Sequence, residues 1–384
     1  MIDNRLNRRG FIALGALVLM AGCQVVPKAP KVAPPPIDKP SASGLPADQQ
    51  RHRVALLLPV SGPNAAVGQA LANAATMALL DTNAANLRIT TYDTATGPAA
   101  AATRAIADGN KLILGPLMGD DVTAVSNIAR PARVPIISFS NDGSVAGRDV
   151  FIMGSLPNQS ITRSVGWARA QGMKRYAALV PDGEYGLRAS ASLNTAVNEA
   201  GGVVVATESY SRGNTSIISA AKRLKAKGGF DAVLIADGGR FAVQAAPQFH
   251  TARGAGPRLI GTELWSGDAT VASSLVLRGA WYAAVSDTRF RQYADSYRTR
   301  FGGQPYRIST LGYDAVLLTL RVARGWKPGT TFPTGKLFDA EGFLGLDGVF
   351  RFGSNGVVER ALEVVELRQG GVTVVSPAPA RFAD

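Results

Sequence analysis

Cysteine is almost absent: Cys23 is the one thiol in 384 residues, and histidine is limited to His52 and His250. Zinc sites of the His/Cys type and Cys/His catalysis are thereby excluded, since each needs several such side chains. The chain also lacks G-x-S-x-G, H-E-x-x-H and G-x-G-x-x-G. Its one Gly-Lys step, Gly335-Lys336, is followed by leucine where a phosphate loop needs Ser or Thr. His52 borders a proline-rich stretch and His250 ends an amphipathic helix, so both are expected at the surface. The adjacent acids Asp120 and Asp121 follow Gly119 at a helix start, where carboxylates stabilise exposed N–H groups. No catalytic residue, cofactor or metal is expected, and the chain reads as a non-enzyme.

Acidic residues are in deficit, with 28 Asp+Glu against 41 Lys+Arg and a formal charge of +13. That balance suits anionic partners, but no Lys/Arg block interleaves with aromatics, so nucleic acid is not expected. No run approaches the roughly 20 apolar residues of a spanning helix. With 46% hydrophobic and 18% charged residues the chain is globular, and its length favours two lobes.

What is present begins at the amino terminus. Arg5, Arg8 and Arg9 precede an apolar stretch from Phe11 to Met20 and the small residues Ala21 and Gly22, the pattern of an export signal over residues 1–22. Met20-Ala21-Gly22-Cys23 resembles the lipobox of bacterial lipoproteins, which implies lipidation at Cys23. Asn7 to Ile12 resembles the twin-arginine export motif. Residues 23–50 are rich in proline, alanine and lysine without periodicity and read as an extended tether. The expected location is the bacterial periplasm, lipid-anchored, with the outer membrane favoured because Gln24 stands where an inner-membrane retention signal has aspartate.

From Arg53 onward short apolar runs alternate with amphipathic ones: "RVALLLPV", "LRITTYD", "KLILGP" and "VPIISFS", then "RYAALVPD", "GGVVVATESY", "FDAVLIAD" and "RLIGTELW". Helices are predicted around Tyr185–Ala200, Thr215–Lys227, Arg240–Ala252, Arg289–Phe301 and Thr310–Ala323, with alternating hairpins after Phe343. Such a series implies two α/β lobes with parallel sheets and ligand sites at the strand ends. Trp265 and Trp281 are expected to fill the core.

The pieces "VALLLPVSGPNAAVGQAL", "LILGPL", "VPIISFSND", "EYG" and "GYDAV" resemble the type I periplasmic-binding fold of the leucine/isoleucine/valine-binding proteins, over about Arg53 to Gln369. The resemblance implies a bilobed fold of two doubly wound parallel-sheet lobes joined by crossover strands. It places the N-terminal lobe at 51–155 plus 285–338, the C-terminal lobe at 156–284 plus 339–376, and a tail at 377–384. "GPLMGDDVTAVSNIARPARVPIISFSND" and "GLDGVFRFGSNGVVERALEVVEL" look most like the penicillin-binding-protein activator lipoproteins. That subfamily implies the leading expectation, a non-enzymatic activator-like regulator of peptidoglycan synthesis with a membrane-bound peptidoglycan synthase as partner. The wider family implies the alternative, the substrate-binding protein of an ABC transporter for amino acids or related solutes.

In amino-acid-binding relatives a serine and a threonine after two strands hold the ligand carboxylate. Equal separation puts Gly119 and Asp142 at those places, so both donors are lost and Asp142 would repel a carboxylate. Val67 stands where an aromatic is found, while Tyr185 and Glu263 match the second-lobe tyrosine and acid. Ser61, Ser138, Ser140 and Asp237 complete the candidate cleft contacts, the serines reading equally as turn residues at strand ends.

Overall fold

The computed structural model describes residues 50–250 and 256–382. The expected signal segment, Cys23 and nearly all of the tether lie outside the described residues. Among the described residues no helix is long and apolar enough to cross a membrane.

The first sheet is made from continuous apolar runs. Its strands are β1 (His52–Leu58), β2 (Leu87–Asp93), β3 (Leu112–Leu114), β4 (Ile136–Ser138) and β5 (Val150–Ile152), all parallel, in the order β2-β1-β3-β4-β5. Every residue of β3, β4 and β5 is buried, as a parallel strand covered on both faces requires. The connecting helices are α1 (Ala65–Asp81), α2 (Pro98–Ala107) and α3 (Gly119–Ala129). Asp120 and Asp121 sit in the first turn of α3 without a side-chain cap bond, so they act on the helix end by charge alone.

The second sheet repeats this order. After α4 (Pro157–Ala170) come β6 (Arg175–Pro181), α5 (Glu184–Glu199), β7 (Val203–Tyr210), α6 (Ser216–Lys227), β8 (Ala232–Ile235), α7 (Gly239–Ala245), β9 (Arg258–Ile260), α8 (Ala269–Ser273) and β10 (Trp281–Ala284). The parallel strands run β7-β6-β8-β9-β10. The helix predicted to reach Ala252 stops at Ala245 and tightens into a 3₁₀ turn, Ala246–Gln248, where Pro247 withdraws its N–H. The chain then adds α9 (Thr288–Phe301), α10 (Thr310–Ala323), β11 (Phe343–Gly345), β12 (Gly348–Phe352), β13 (Val358–Arg360), β14 (Glu363–Arg368) and β15 (Gly371–Ser376). β11 to β13 form a small antiparallel sheet, and β14 and β15 extend the second sheet beside β10.

The chain passes between lobes three times, after β5, after β10 and after β13. The segment 339–376, expected wholly in the second lobe, is divided. Phe343, Phe350, Phe352 and Val358 join the core of β1 to β5 and α10, whereas Leu362, Val364, Val365 and Leu367 join the cores of the second lobe. His52 also departs from expectation: it is 3% exposed and stacks on Trp326 at 4.1 Å, because β1 begins earlier than the composition change suggests. Trp265 and Trp281 are buried as expected, at 0% and 5% exposure.

Both lobes close their first strand onto the following helix through a glycine. A Cβ on Gly68 would lie 2.1 Å from the carbonyl oxygen of Pro59, and one on Gly186 would lie 1.7 Å from that of Pro181. Only a residue without a side chain permits such an approach. It draws the start of α5, with Tyr185 and Arg188, against the end of β6.

Candidate functional site

In each sheet the strand order reverses direction beside the first strand, and ligands of such sheets bind outside the carboxyl ends of the strands. On the first lobe the strand ends are self-satisfied. Ser138 is buried and donates its hydroxyl to the carbonyl of Pro116 at 2.9 Å, while accepting the Ser140 N–H at 3.0 Å. Ser140 accepts the N–H of Asp142 at 3.1 Å, and Asp142 accepts both the N–H and the hydroxyl of Ser144. Ser61 is exposed and donates to Asp93 at 2.5 Å. Val67 is half-buried against the first core. Gly119 lies close over this turn, since a Cβ there would stand 3.4 Å from Asp142 and 3.5 Å from the Ser140 hydroxyl.

Asp142 does not face the cleft as a bare charge. Arg188 of α5 donates to its Oδ2 at 3.2 Å, an ion pair that spans from the second lobe to the first. Burial raises the Asp142 carboxyl, but the Ser144 bonds and Arg188 outweigh it and hold the group below the usual carboxylate range.

The second wall is a connected network. Tyr185 shares its hydroxyl between Thr262 and Glu263 Oε1, both at 2.9 Å. Asp237, 4% exposed, accepts from Tyr210 at 2.7 Å and from Arg212 at 2.8 and 3.1 Å, and the Arg212 guanidinium lies 5.7 Å from the Tyr185 ring centre. Trp265 donates to the Asp237 carbonyl at 2.8 Å and so fixes the loop that carries Glu263. Glu263 Oε2 is buried without a partner, and burial pushes the carboxyl up to about 7.

Between these walls lies a cavity of about 420 Å³, lined chiefly by apolar side chains such as Leu117, Phe139, Leu156, Val285, Ile308 and Leu311. Of the predicted contacts, Gly119 and Glu263 line it; Ser61, Val67, Ser138, Ser140, Asp142, Tyr185 and Asp237 stand outside its lining. Among the polar lining residues that were not predicted are Gln159, Arg307, Asp347 and Arg360.

These last come from the crossover side. Arg307 Nη1 donates to Asp347 at 2.7 Å and to Thr310 at 3.1 Å, and its Nε donates to Asp287 at 3.2 Å. Asp347, 3% exposed, also accepts the Thr310 hydroxyl at 2.9 Å. Behind it, fully buried Asp314 accepts the N–H groups of Leu346 and Asp347 at 2.6 and 3.3 Å. Burial and the neighbouring Asp347 push Asp314 up, to about 7; burial raises Asp347 too, but Arg307 and Arg360 bring it below its ordinary value. Arg360, 8% exposed, donates Nη2 to the Met153 carbonyl at 2.7 Å, and its backbone N–H is held by Gln159 at 2.9 Å. Arg307 Nη2 and Arg360 Nε and Nη1 are buried without partners. The available sequence signal was Asp314, a carboxylate on the apolar face of α10 that no exposed helix would place there.

Among the described residues no cluster of three His, Cys, Asp or Glu stands ready to hold a metal ion.

Glu263 carries a pH signature. Its carboxyl holds a proton in the folded protein that the unfolded chain has released between about pH 4.5 and 7. The folded state therefore binds more protons in that window, and stability falls as pH rises through it. Glu263→Gln should flatten this slope by roughly 1–3 kcal/mol between pH 5 and 7, read from urea midpoints at each pH; Asp314 leaves a residual slope of the same sign. An unchanged slope would show that Glu263 titrates normally.

Comparisons agree with this architecture. A curated relative from Rickettsia prowazekii, itself an uncharacterized protein, is 29% identical over 140 residues, 36% of this chain and 38% of the relative's length. A solved structure from Rhodospirillum rubrum, described as a branched-chain amino acid ABC transporter protein, superimposes with a TM-score of 0.73 at 20% identity, covering 85% of this chain and 100% of that one. A leucine-binding protein from Thermotoga maritima gives 0.65 at 18%, covering 85% and 98%. A branched-chain amino acid transporter substrate-binding protein from Streptococcus pneumoniae, solved with isoleucine, gives 0.64 at 20%, covering 85% and 100%. The profile of the periplasmic binding proteins matches residues 52–371, and the chain belongs to that family.

Proposed function

We propose that this chain is the solute-capturing receptor of an ABC transporter, working in the periplasm and taking a small ligand between its lobes. The observation that carries the reading is the apolar cavity of about 420 Å³ at the crossovers, walled by residues of both lobes. Its size is that of a small-molecule site, and a ligand touching both walls favours the closed arrangement over the open one. Solved neighbours described as transporter components, one with isoleucine bound, support the same use. A library of amino acids, small organic acids and sugars should contain compounds that raise the melting temperature, since a ligand at 100 times its Kd adds about 2.7 kcal/mol to the native state. Silence across that library would sink the reading.

A second reading, an activator-like partner of a membrane-bound peptidoglycan synthase, draws on the Asp142–Arg188 pair. This pair ties the lobes with the protein's own charges where relatives hold a ligand carboxylate. Arg188→Gln separates the two readings. Under solute capture it should loosen the unliganded lobes, enlarging the radius of gyration in solution scattering, while stability changes by less than about 1 kcal/mol. Under the activator reading the same variant should instead lose a synthase recovered by crosslinking.

The lipobox-like motif supports anchoring through Cys23, with the outer membrane favoured. The chain should take up labelled palmitate and Cys23→Ser should abolish that label; a parent chain that takes up none would refute the anchor.

A further inference from the structure

Arg360 and Arg307 are unusual among the cavity walls because their positions are fixed while their donors are unspent. Arg360 is held by the Met153 carbonyl and by Gln159 through its backbone, and its guanidinium lies 5.3 Å from the Phe350 ring centre. Nε and Nη1, together three N–H groups, have no partner. Arg307 is fixed by Asp347, Asp287 and Thr310 and leaves Nη2 unpartnered. Buried guanidinium donors without acceptors cost free energy, so both side chains are set for an acceptor that the protein does not supply.

We propose that Arg360, assisted by Arg307, reads the carboxylate of a small monocarboxylic acid whose apolar body fills the rest of the cavity. The assignment rests on the solute-capture reading above and narrows it to a ligand class and to the residues that select it. Three observations converge. The strand-end positions 119 and 142 offer no hydroxyl, and Asp142 already holds Arg188, so a carboxylate is not received there. The remaining lining is mostly apolar, which suits a hydrocarbon or aromatic body. The charge also fits. Arg307 is already paired with two acids, Asp347 and Asp287, whereas Arg360 forms no ion pair among the described residues, and Glu263 is easily kept neutral. One added negative charge would give Arg360 its counterion, and charge-assisted bonds to guanidinium are the strong kind.

Calorimetry on the intact protein with phenylacetate and 4-methylpentanoate, each against its own amide, tests this without any variant. The acids should bind at least about tenfold more tightly than the amides, since hydrogen bonds to a charged partner are at stake. They should also bind more tightly at pH 6 than at pH 8, because a protonated Glu263 removes a like charge from the site; Tyr185 bonds Glu263, Arg212 lies 5.7 Å from the Tyr185 ring centre and holds Asp237, and none of these three lines the cavity. Arg360→Gln should bring acid and amide within about threefold, and Arg360→Lys should restore part of the gap, with circular dichroism confirming that both variants fold. Amides binding as well as acids, or only neutral solutes binding, would overturn this assignment and leave solute capture standing. No binding by any probe or by the wider library would overturn both.

Discussion

Arg307→Met should lower the free energy of unfolding by about 3–5 kcal/mol, the scale for breaking a buried ion pair from one side. Arg307 contacts Asp347 at 2.7 Å and Asp287 at 3.2 Å, and Asp347 is 3% exposed with fully buried Asp314 bonded to its backbone N–H. Without the guanidinium, two carboxyl groups share one dry site with only Arg360 near. The loss arises from stranded charge, not from lost packing, because methionine replaces most of the stem. Arg307→Met combined with Asp347→Leu removes both partners and should therefore recover much of the loss. Urea unfolding followed by tryptophan fluorescence at pH 7 measures all three proteins. A single-variant midpoint close to that of the parent would show that water reaches Asp347 and that the cluster is not dry.

Gly186→Ala is expected to be about as damaging, by about 3 kcal/mol or more, and to weaken ligand binding as well. The added Cβ would stand 1.7 Å from the Pro181 carbonyl oxygen and 2.9 Å from its carbon, and backbone cannot yield as a flexible side chain does. Helix α5 must move away from β6, taking Tyr185 from Thr262 and Glu263 and Arg188 from Asp142. Gly166→Ala is the matched control. It is an exposed position inside α4 with nothing within 4 Å of the new carbon, and it should stabilise by about 0.5–1 kcal/mol through helix propensity. Equal melting temperatures for the two alanine variants would remove the steric argument.

The α/β order was legible because buried parallel strands are uninterrupted apolar runs, and β1, β3, β6 and β8 each read that way. Helix ends were legible within a residue or so where a turn residue stands, as at Phe301, which left-handed Gly302 follows. The lobe that takes β11 to β13 was not, since an antiparallel hairpin alternates in the same way whichever core it covers. The inner wall of the cavity was hidden for a different reason. Arg307, Asp347 and Arg360 are separated along the chain and meet only through the crossovers, so no local spacing marks them; Asp314 behind them, on the apolar face of α10, was the one local signal. Tyr185 and Glu263 were visible through resemblance, and their bond is present, but the same comparison pointed to Asp142 as a site of repulsion when Arg188 neutralises it.

The three passages between lobes also set a timetable. The core around β1 includes Leu311, Ala315 and Val316 of α10 together with Phe343, Phe350 and Val358, all made after the entire parallel set of the second lobe. The second lobe in turn waits for Val364, Val365 and Leu367. A chain threaded out from its amino terminus therefore cannot complete its first lobe until almost everything else has emerged. Exposed β1 to β5 must be shielded in the interval, which makes this architecture one whose assembly leans on holding factors or on finishing before export.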